Sequence, residues 1–196
     1  MRDMIKPTLS LFIICLVTAF CLAFVNFITK DTIAQRAALD AEEQRKQVMT
    51  EADSFEKLEN WKDLDESGLI EEVYAAYDGD KLAGYVFSAL PVGFGGEIAV
   101  TVGVSKDNKI SGITVGDNEE TPGLGSKTAE EKFTGQFAGK DITKGIKIVK
   151  QAVSSDDEIQ AVTGATVSSR AVTRAVQACA DLGEKLLKEQ IGGGSQ

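Results

Sequence analysis

A long apolar stretch opens the chain. Leu9 to Ile28 reads LSLFIICLVTAFCLAFVNFI, twenty residues without a charge, which is the length a helix needs to cross the hydrocarbon core of a bilayer. A cleaved signal peptide would usually have a shorter apolar region followed by a small-x-small cleavage site, which is missing here. Phe20 stands where a lipoprotein would need a small residue before Cys21. The pattern predicts a short segment 1–8 and a retained transmembrane helix 9–28.

The next stretch alternates charged and apolar residues. Between Asp31 and Leu58 there is no Gly or Pro, and apolar residues recur at helical spacing. They are Ile33, Ala37, Ala41, Val48, Ala52 and Phe55. This pattern predicts an amphipathic stalk helix over 29–58. It could be a solvated stalk or a partner-docking helix, and we favour a stalk whose C-terminal half packs on its own domain.

Apolar residues then follow patterns typical of strands. Asp78-Gly79 is a strong hairpin signal between the first two of these runs. The predicted strands are 71–77, 82–89, 98–104, 110–115 and 146–151. The last helix has Val172, Ala175, Val176, Cys179, Leu182 and Leu186 on one face. Hairpins and helices together predict an α+β domain with antiparallel strands over 59–190, followed by a flexible tail 191–196.

Composition narrows the chemistry. The net charge of −9, with no long basic stretch in the part predicted to fold, argues against a nucleic-acid partner. Histidine is absent, which excludes a Ser-His-Asp triad, His-ligated zinc and His-ligated haem. Cys15 and Cys21 lie in the apolar stretch and Cys179 stands alone, so neither a disulfide framework nor an iron–sulfur spacing exists. If the protein does redox chemistry, the redox group must therefore be an added cofactor.

Two glycine-rich stretches precede the last helix by some distance. Gly93-Phe94-Gly95-Gly96 comes before a strand, whereas a dinucleotide fingerprint follows a strand and opens a helix, so we interpret it as a loop. The stretch E-T-P-G-L-G-S-K covers Glu120 to Lys127. Its Pro122-Gly123 suits the centre of a type II turn, which would push Leu124 outward. Taken alone, the second stretch is also best interpreted as structural.

The third motif is T-G-A-T, at 163–166. A helix N-terminus attracts phosphate through its unpaired N–H groups and its dipole. Gly164 and Ala165 remove bulk at that point, and Thr166 adds a hydroxyl. From these residues alone, phosphate binding and a plain N-cap at Ser168 or Ser169 are equally good interpretations.

Together, T-G-A-T and the preceding E-T-P-G-L-G resemble one family. This is the FMN-binding domain shared by the G subunit of Rnf-type ion-translocating electron-transport complexes and the C subunit of the sodium-pumping NADH:quinone oxidoreductase. The membrane helix, the stalk, the GFGGEI segment and the SSRAV helix are similar too, so the resemblance covers nearly the whole chain. The short length and the reading GFGGEIAVTVGV look more like the Rnf-type G subunit.

The resemblance implies a covalent flavin. In that family the last threonine of the motif carries FMN through a phosphoester bond that a separate flavin transferase makes, which points to Thr166 here. The implied cofactor site comprises Thr163, Gly164, Ala165, Thr166 and Ser168 near the phosphate, and Glu120, Thr121, Leu124 and Gly125 near the ring. Two positions depart from the family pattern. Gln160 replaces a usual aspartate, and Asn118 replaces a frequent histidine.

The resemblance also implies a function. The chain would be a single-pass subunit of the bacterial or archaeal cytoplasmic membrane, with its FMN domain on the extracytoplasmic side. It would relay electrons among the membrane and peripheral subunits of a complex that couples ferredoxin:NAD⁺ electron transfer to Na⁺ or H⁺ translocation, without a complete active site of its own. The alternatives are a flavin-independent assembly subunit, the C subunit of a sodium-translocating NADH:quinone reductase, or a stand-alone flavin reductase.

Overall fold

The first element is one unbroken helix. The computed structural model describes residues 2–193, with side chains for 7–33 and 35–189. Helix α1, Arg2–Val48, contains Pro7 and the whole apolar stretch, so residues 2–8 are part of the helix rather than a separate segment. Within the described chain, α1 is the one helix long and apolar enough to cross a membrane, judged by length and composition. The large apolar side chains from Leu9 to Ile28 are exposed, as a lipid-facing segment requires.

The chain divides into two compact units, and the division falls inside α1. The first unit ends at Glu43 and the second begins at Gln44. The stalk helix predicted to reach residue 58 is too long: α1 ends at Val48, and Ser54–Leu58 is strand β1. Helical spacing at Ala52 and Phe55 is misleading because pairing with a neighbouring strand overrides a local pattern. The N–H of Asp53 donates to Tyr77 O at 2.8 Å, which begins that pairing.

Five strands form an antiparallel sheet in the order β1-β2-β3-β4-β5. Strands β2 to β5 confirm the four predicted strands of the two hairpins, each a little longer than expected. Gly79, with φ of 57°, makes the predicted turn between β2 and β3, where a side chain would be strained. The bounds are Ile70–Asp78 for β2, Lys81–Ala89 for β3, Ile98–Ser105 for β4 and Lys109–Asn118 for β5.

The inner face of this sheet packs on the last helix, α3, Thr166–Gly193. Every residue predicted for the apolar face of α3 is buried, from Val172 to Leu186. Tyr85, Phe87 and Val102 meet it from the sheet, and Phe137 completes the core. Burying a large apolar side chain contributes about 1.5–3 kcal/mol, so this interface holds α3 and its N-terminus against the sheet. Residues 191–193 continue α3 instead of forming a tail, and the rest of the predicted tail lies outside the described residues.

The outer face of the sheet receives the last turn of α1. Val48 and Met49 are 2% exposed and pack with Ala76 and Val86. Ser111 Oγ donates to Val48 O, and a Cβ on Gly103 would lie 2.5 Å from the same oxygen. This close approach therefore requires a glycine. It confirms the expected packing of the helix end on its own domain.

The other elements are short. Helix α2, Glu131–Thr134, follows a 3₁₀ turn at Gly125–Ala129. The strand predicted at 146–151 is β6, Lys147–Val149, and it pairs in parallel with β7, Glu158–Gln160. Strand β7 leads directly into the T-G-A-T motif, so this small sheet fixes the entry of the chain into α3.

Candidate functional site

A buried carboxylate joins the three glycine-rich motifs. Glu120 is 6% exposed, and its Oε1 accepts hydrogen bonds from the N–H groups of Phe94, at 2.7 Å, and Gly95, at 3.2 Å. Its Oε2 accepts from the Ser168 hydroxyl at 2.8 Å. A buried carboxylate needs such donors to offset its desolvation. Glu120 and Ser168, both predicted as cofactor-binding, are thus partners of each other.

Glycines surround this carboxylate because there is no room for a side chain. A Cβ on Gly93 would lie 2.1 Å from Glu120 Oε1, and one on Gly125 would lie 2.2 Å from Oε2. A Cβ on Gly95 would lie 2.1 Å from Glu119 O. The glycines of the first two motifs therefore serve the Glu120 contacts. The resemblance places Gly125 near the flavin ring. In the described structure, the group that a Cβ on Gly125 would meet is the Glu120 carboxylate.

The E-T-P-G-L-G segment forms the predicted turn. Leu124 N–H donates to Thr121 O at 3.1 Å, and Gly123 has φ of +76° at the position where a type II turn requires a positive value. Leu124 is 45% exposed, and its Cδ2 would be 3.1 Å from a Cβ on Gly164. The turn thus brings a leucine side chain onto the T-G-A-T motif.

The T-G-A-T motif is a tight turn into α3. Gly164 has φ of +82°, and the N–H of Ala165 donates to Val162 O at 3.0 Å. Helix α3 begins at Thr166, so Ser168 and Ser169 lie inside its first turn and the interpretation of either as the N-cap is wrong. Ser169 Oγ instead accepts from Val162 N–H, at 3.0 Å, and donates to Ala165 O, at 2.8 Å, which fixes the turn.

This arrangement leaves donors at the start of α3. The N–H of Ser169 donates to Ala165 O, whereas the N–H groups of residues 166–168 have no backbone acceptor outside the helix among the described residues. These are the unpaired first-turn donors of a helix, and the positive end of the helix dipole lies at the same place. The geometry suits a phosphate group.

The E-T-P-G-L-G and T-G-A-T motifs, together with Phe94, enclose one cleft. Its volume is about 350 Å³, within the usual size range of small-molecule sites. It brings together eight of the predicted cofactor residues and Phe94. The predicted residues are Glu120, Thr121, Leu124, Gly125, Gly164, Ala165, Thr166 and Ser168. Thr163 lies instead in a neighbouring cleft of about 420 Å³, with Lys127 and Gln136.

Of the two positions that depart from the family pattern, Asn118 supports the backbone with its side chain, whereas Gln160 is held through its own main chain. Asn118 Nδ2 donates to Gly116 O at 2.9 Å, and its Oδ1 accepts from Glu120 N–H at 3.3 Å. Gln160 pairs through its main chain with the side chain of Gln136, whose Oε1 accepts at 2.7 Å and whose Nε2 donates at 3.2 Å. The side chain of Gln160 is exposed beside the neighbouring cleft.

Charges near the entry to the motif are held by local partners. Hydrogen bonds from Ser155 and Lys147 lower the pKa of Asp157 to about 2.

Cys179 is fully buried in the core, and this burial raises the pKa of its thiol. A thiol in that environment is inert, so the cysteine of the second unit is a packing residue.

Sequence reasoning misses three parts of the site. The first is Phe94, which sequence reasoning assigns to a loop without a place in the site. The glycines on both sides of it are the available signal, because they allow a close approach of the backbone. The second is the pair of hydrogen bonds between the Gln136 side chain and the main chain of Gln160. The third is the pair of hydrogen bonds by which the Ser169 hydroxyl fixes the turn into α3. Their partners are non-local or depend on where α3 begins, so no motif signals them.

Comparison with known proteins identifies the fold and the family. Residues 93–181 match the family model of the FMN-binding domain, and residues 1–48 match that of the RnfG N-terminal region. The G subunit of the proton-translocating ferredoxin:NAD(+) oxidoreductase complex of Clostridium ljungdahlii is 34% identical over 87% of this chain and 86% of its own length. The chain belongs to the family of G subunits of ion-translocating oxidoreductase complexes. A second member, from the Na(+)-translocating ferredoxin:NAD(+) oxidoreductase complex of Acetobacterium woodii, is 33% identical over 93% of both chains.

Solved structures support the same fold for this Rnf-type family member. NqrC of Shewanella oneidensis matches with a TM-score of 0.55 and 22% identity, over 75% of this chain and 74% of that one. The C subunit of the Na(+)-translocating NADH-quinone reductase of Parabacteroides distasonis matches with a TM-score of 0.51 and 25% identity, over 59% and 62% of the two chains. The α+β fold with antiparallel strands is confirmed.

The cleft fits the cofactor that the matched domain is named for. Unpaired N–H groups at the start of α3 suit the phosphate, and the apolar side chains of Leu124 and Phe94 suit a flat aromatic ring system. The described residues contain no cluster of His, Cys, Asp and Glu that could hold a metal ion. The groups that line the cleft suit a ligand with a phosphate and an apolar ring system.

Proposed function

We propose that this protein holds covalent FMN in the cleft and relays electrons within an Rnf-type complex. The observation that carries the proposal is the placement of Thr166, which lines the cleft as the first residue of a 28-residue helix. FMN, when bound, accepts and releases electrons one or two at a time, and the protein supplies position and electrostatics. A cofactor that carries the electrons requires no histidine for acid–base catalysis, which fits a chain that contains none.

The start of α3 holds the phosphate. The N–H groups of residues 166–168 donate to its oxygens, and the helix dipole favours its negative charge. Gly164 and Ala165 keep side chains away from this point. Ser168 contributes its backbone N–H, since its hydroxyl donates to Glu120. Glu120 therefore positions the motifs, and we assign it no direct contact with the cofactor.

Thr166 Oγ is the proposed attachment atom. A threonine hydroxyl is a poor nucleophile, so a flavin transferase must activate it. A bond forms from Oγ to the flavin-side phosphorus of a flavin pyrophosphate while the pyrophosphate bond breaks. The nucleotide half leaves, and the hydroxyl proton passes to a base of the transferase. Thr166 is half-buried at the wall of the cleft, and its hydroxyl makes no hydrogen bond among the described residues, so it is available for this reaction.

The E-T-P-G-L-G turn contacts the ring. Leu124 packs its exposed apolar side chain on it, and Thr121 hydrogen-bonds a ring heteroatom. The position of Leu124 on Gly164 supports this arrangement, because a group attached at Thr166 would extend past both residues.

The relatives support the proposed complex and membrane location. The two named relatives belong to ferredoxin:NAD(+) oxidoreductase complexes that translocate protons or Na⁺. We infer that this chain is a translocase subunit, anchored by α1 beside other membrane and peripheral subunits. Its FMN domain lies on the extracytoplasmic side of the bacterial or archaeal cytoplasmic membrane. Covalent attachment suits that side, where free FMN is scarce.

Intact-mass analysis of the purified full chain tests the attachment. Co-expression with the transferase should add the mass of FMN less one water, and Thr166→Ala should abolish this addition. Thr163→Ala is the matched control, because Thr163 lies outside the Thr166 cleft and should keep at least part of the flavin. Thr166→Ala should still fold, since it removes no hydrogen bond of the described structure.

Two results would contradict this assignment. A Thr166→Ala protein that still gives a fluorescent band in a denaturing gel would place the flavin elsewhere. A wild-type chain without flavin in a functional complex would favour the alternative of a flavin-independent assembly subunit.

A further inference from the structure

Phe94 combines an exposed ring with a fixed backbone. Its side chain is 74% exposed, although its N–H donates to the buried carboxylate of Glu120 at 2.7 Å. The turn around it is closed by a hydrogen bond from Gly93 N–H to Gly96 O, at 2.8 Å, and by the bridge between Val92 and Glu97. Phe94 is therefore held at the tip of a defined turn.

The turn cannot relax to bury the ring. A Cβ would lie 2.1 Å from Glu120 Oε1 at Gly93 and 2.1 Å from Glu119 O at Gly95, so the backbone on both sides of Phe94 is in close contact with the Glu119-Glu120 segment. Moving Phe94 inward would break its bond to a buried carboxylate, and leaving such a group unsatisfied is costly. The fold thus keeps the ring exposed at this position.

The exposed ring lines the same cleft as Thr166 and Leu124. Burying a phenylalanine ring is favourable, and the isolated chain leaves this ring in solvent. Aromatic rings pack favourably on other aromatic systems in offset or tilted arrangements. The cleft therefore offers an apolar aromatic surface within the space where a group attached at Thr166 would lie.

We propose that Phe94 is a flavin-contacting residue, whose ring packs on the isoalloxazine of FMN attached at Thr166. This assignment rests on the proposed function. It gives the G-F-G-G turn a role in the site: the glycines allow the turn to approach Glu120, and Glu120 holds the aromatic side chain in the cleft. Leu124 supplies an aliphatic contact to the same group.

Trp substitution with fluorescence detection tests the contact. An indole in van der Waals contact quenches flavin emission by electron transfer to the excited ring. Phe94→Trp should therefore lower the emission of the attached flavin several-fold in the purified full chain, with the flavin mass unchanged. Val92→Trp is the matched control, because Val92 is 61% exposed in the same turn but does not line the cleft. It should leave the emission close to that of the wild type.

Further variants keep the test decisive. If Phe94→Trp fails to retain flavin, Phe94→Tyr replaces it, since tyrosine also quenches and differs from phenylalanine by one hydroxyl. Equal emission in the wild type and the flavin-bearing variants at position 94 overturns the proposal. So does equal quenching from positions 92 and 94.

A partner protein is the other possible occupant of this surface. A Phe94→Leu chain with the wild-type flavin spectrum and emission that no longer co-purifies with the other subunits would show that the ring contacts protein, and would overturn the proposal. A wild-type chain without any flavin mass would overturn the proposed function itself, so the two failures can be distinguished.

Discussion

The hydroxyl of Ser168 donates to Oε2 of Glu120 at 2.8 Å and joins two segments that are 48 residues apart. Both side chains are buried, and the other oxygen of the carboxylate accepts from the backbone at Phe94 and Gly95. One carboxylate thus connects the start of α3 with both loops that border the cleft. The proposed flavin site should therefore be sensitive to substitutions of residues that do not contact the cofactor.

Ser168→Ala should destabilise the site. It removes one of three donors from a buried carboxylate, and loss of such a partner costs about 1–3 kcal/mol. We expect a lower midpoint of thermal unfolding for the full chain in detergent, together with a lower yield of attached flavin. Ser154→Ala is the control, because Ser154 donates to Glu158 on the exposed surface and should have little effect. Equal effects of the two changes would refute the role of Glu120.

Gly125→Ala should be more damaging than its small size suggests. The added Cβ would lie 2.2 Å from Glu120 Oε2, so either the carboxylate or the turn must move. Overpacking of this kind typically costs about 1–3 kcal/mol. Gly145→Ala meets open space and requires no unusual φ, which makes it a matched control. Thermal unfolding and intact-mass analysis should show losses for the first variant alone.

Leu124→Asp should leave flavin attached and change its properties. The substitution places a carboxylate at the ring without altering the proposed phosphate contacts, so the mass should stay that of the flavinylated chain. A negative charge opposes the gain of negative charge on reduction, and the midpoint potential should fall. Leu124→Met, which conserves apolar character, is the control. An unchanged absorption spectrum and potential in Leu124→Asp would remove this turn from the site.

The orientation can be tested with reporters fused after Gln196. If the domain lies outside the cytoplasm, an alkaline phosphatase fusion should be active, because this enzyme folds outside the cytoplasm. A green fluorescent protein fusion should be dark, because this protein does not mature outside the cytoplasm after Sec-dependent export. A fusion at this point retains the whole folded domain. The reverse pattern of activity would place the domain in the cytoplasm.

The sequence predicts the parts of the fold that local patterns determine. The apolar face of α3 and the turn at Gly79 are both correct, because helical periodicity and an Asp-Gly pair each act within a few residues. The end of α1 is not predictable in this way. Phe55 continues the helical spacing, yet its segment pairs with β2, and that pairing depends on residues about twenty positions later.

In the candidate site, too, local motifs are predictable from the sequence and long-range contacts are not. The motifs indicate Thr166 and the Leu124 turn, whereas the clustering around Glu120 depends on contacts across 25 to 48 residues. The family resemblance implies that the Ser168 hydroxyl, next to the motif, holds the cofactor phosphate. Only the folded chain shows that its hydroxyl donates to Glu120, so the backbone N–H is the group of Ser168 that is left for the proposed phosphate contact.

The packing of the last turn of α1 on the outer face of the sheet determines where a soluble fragment can begin. Gln44 Oε1 accepts from Thr101 at 3.0 Å, and Val48 O accepts from Ser111. A fragment cut at Ser54, where the first strand starts, would lose both acceptors and uncover Ala76 and Val86, so it should aggregate. A fragment that begins at Gln44 retains these contacts and omits the apolar stretch, which makes it the better choice for crystallisation or NMR.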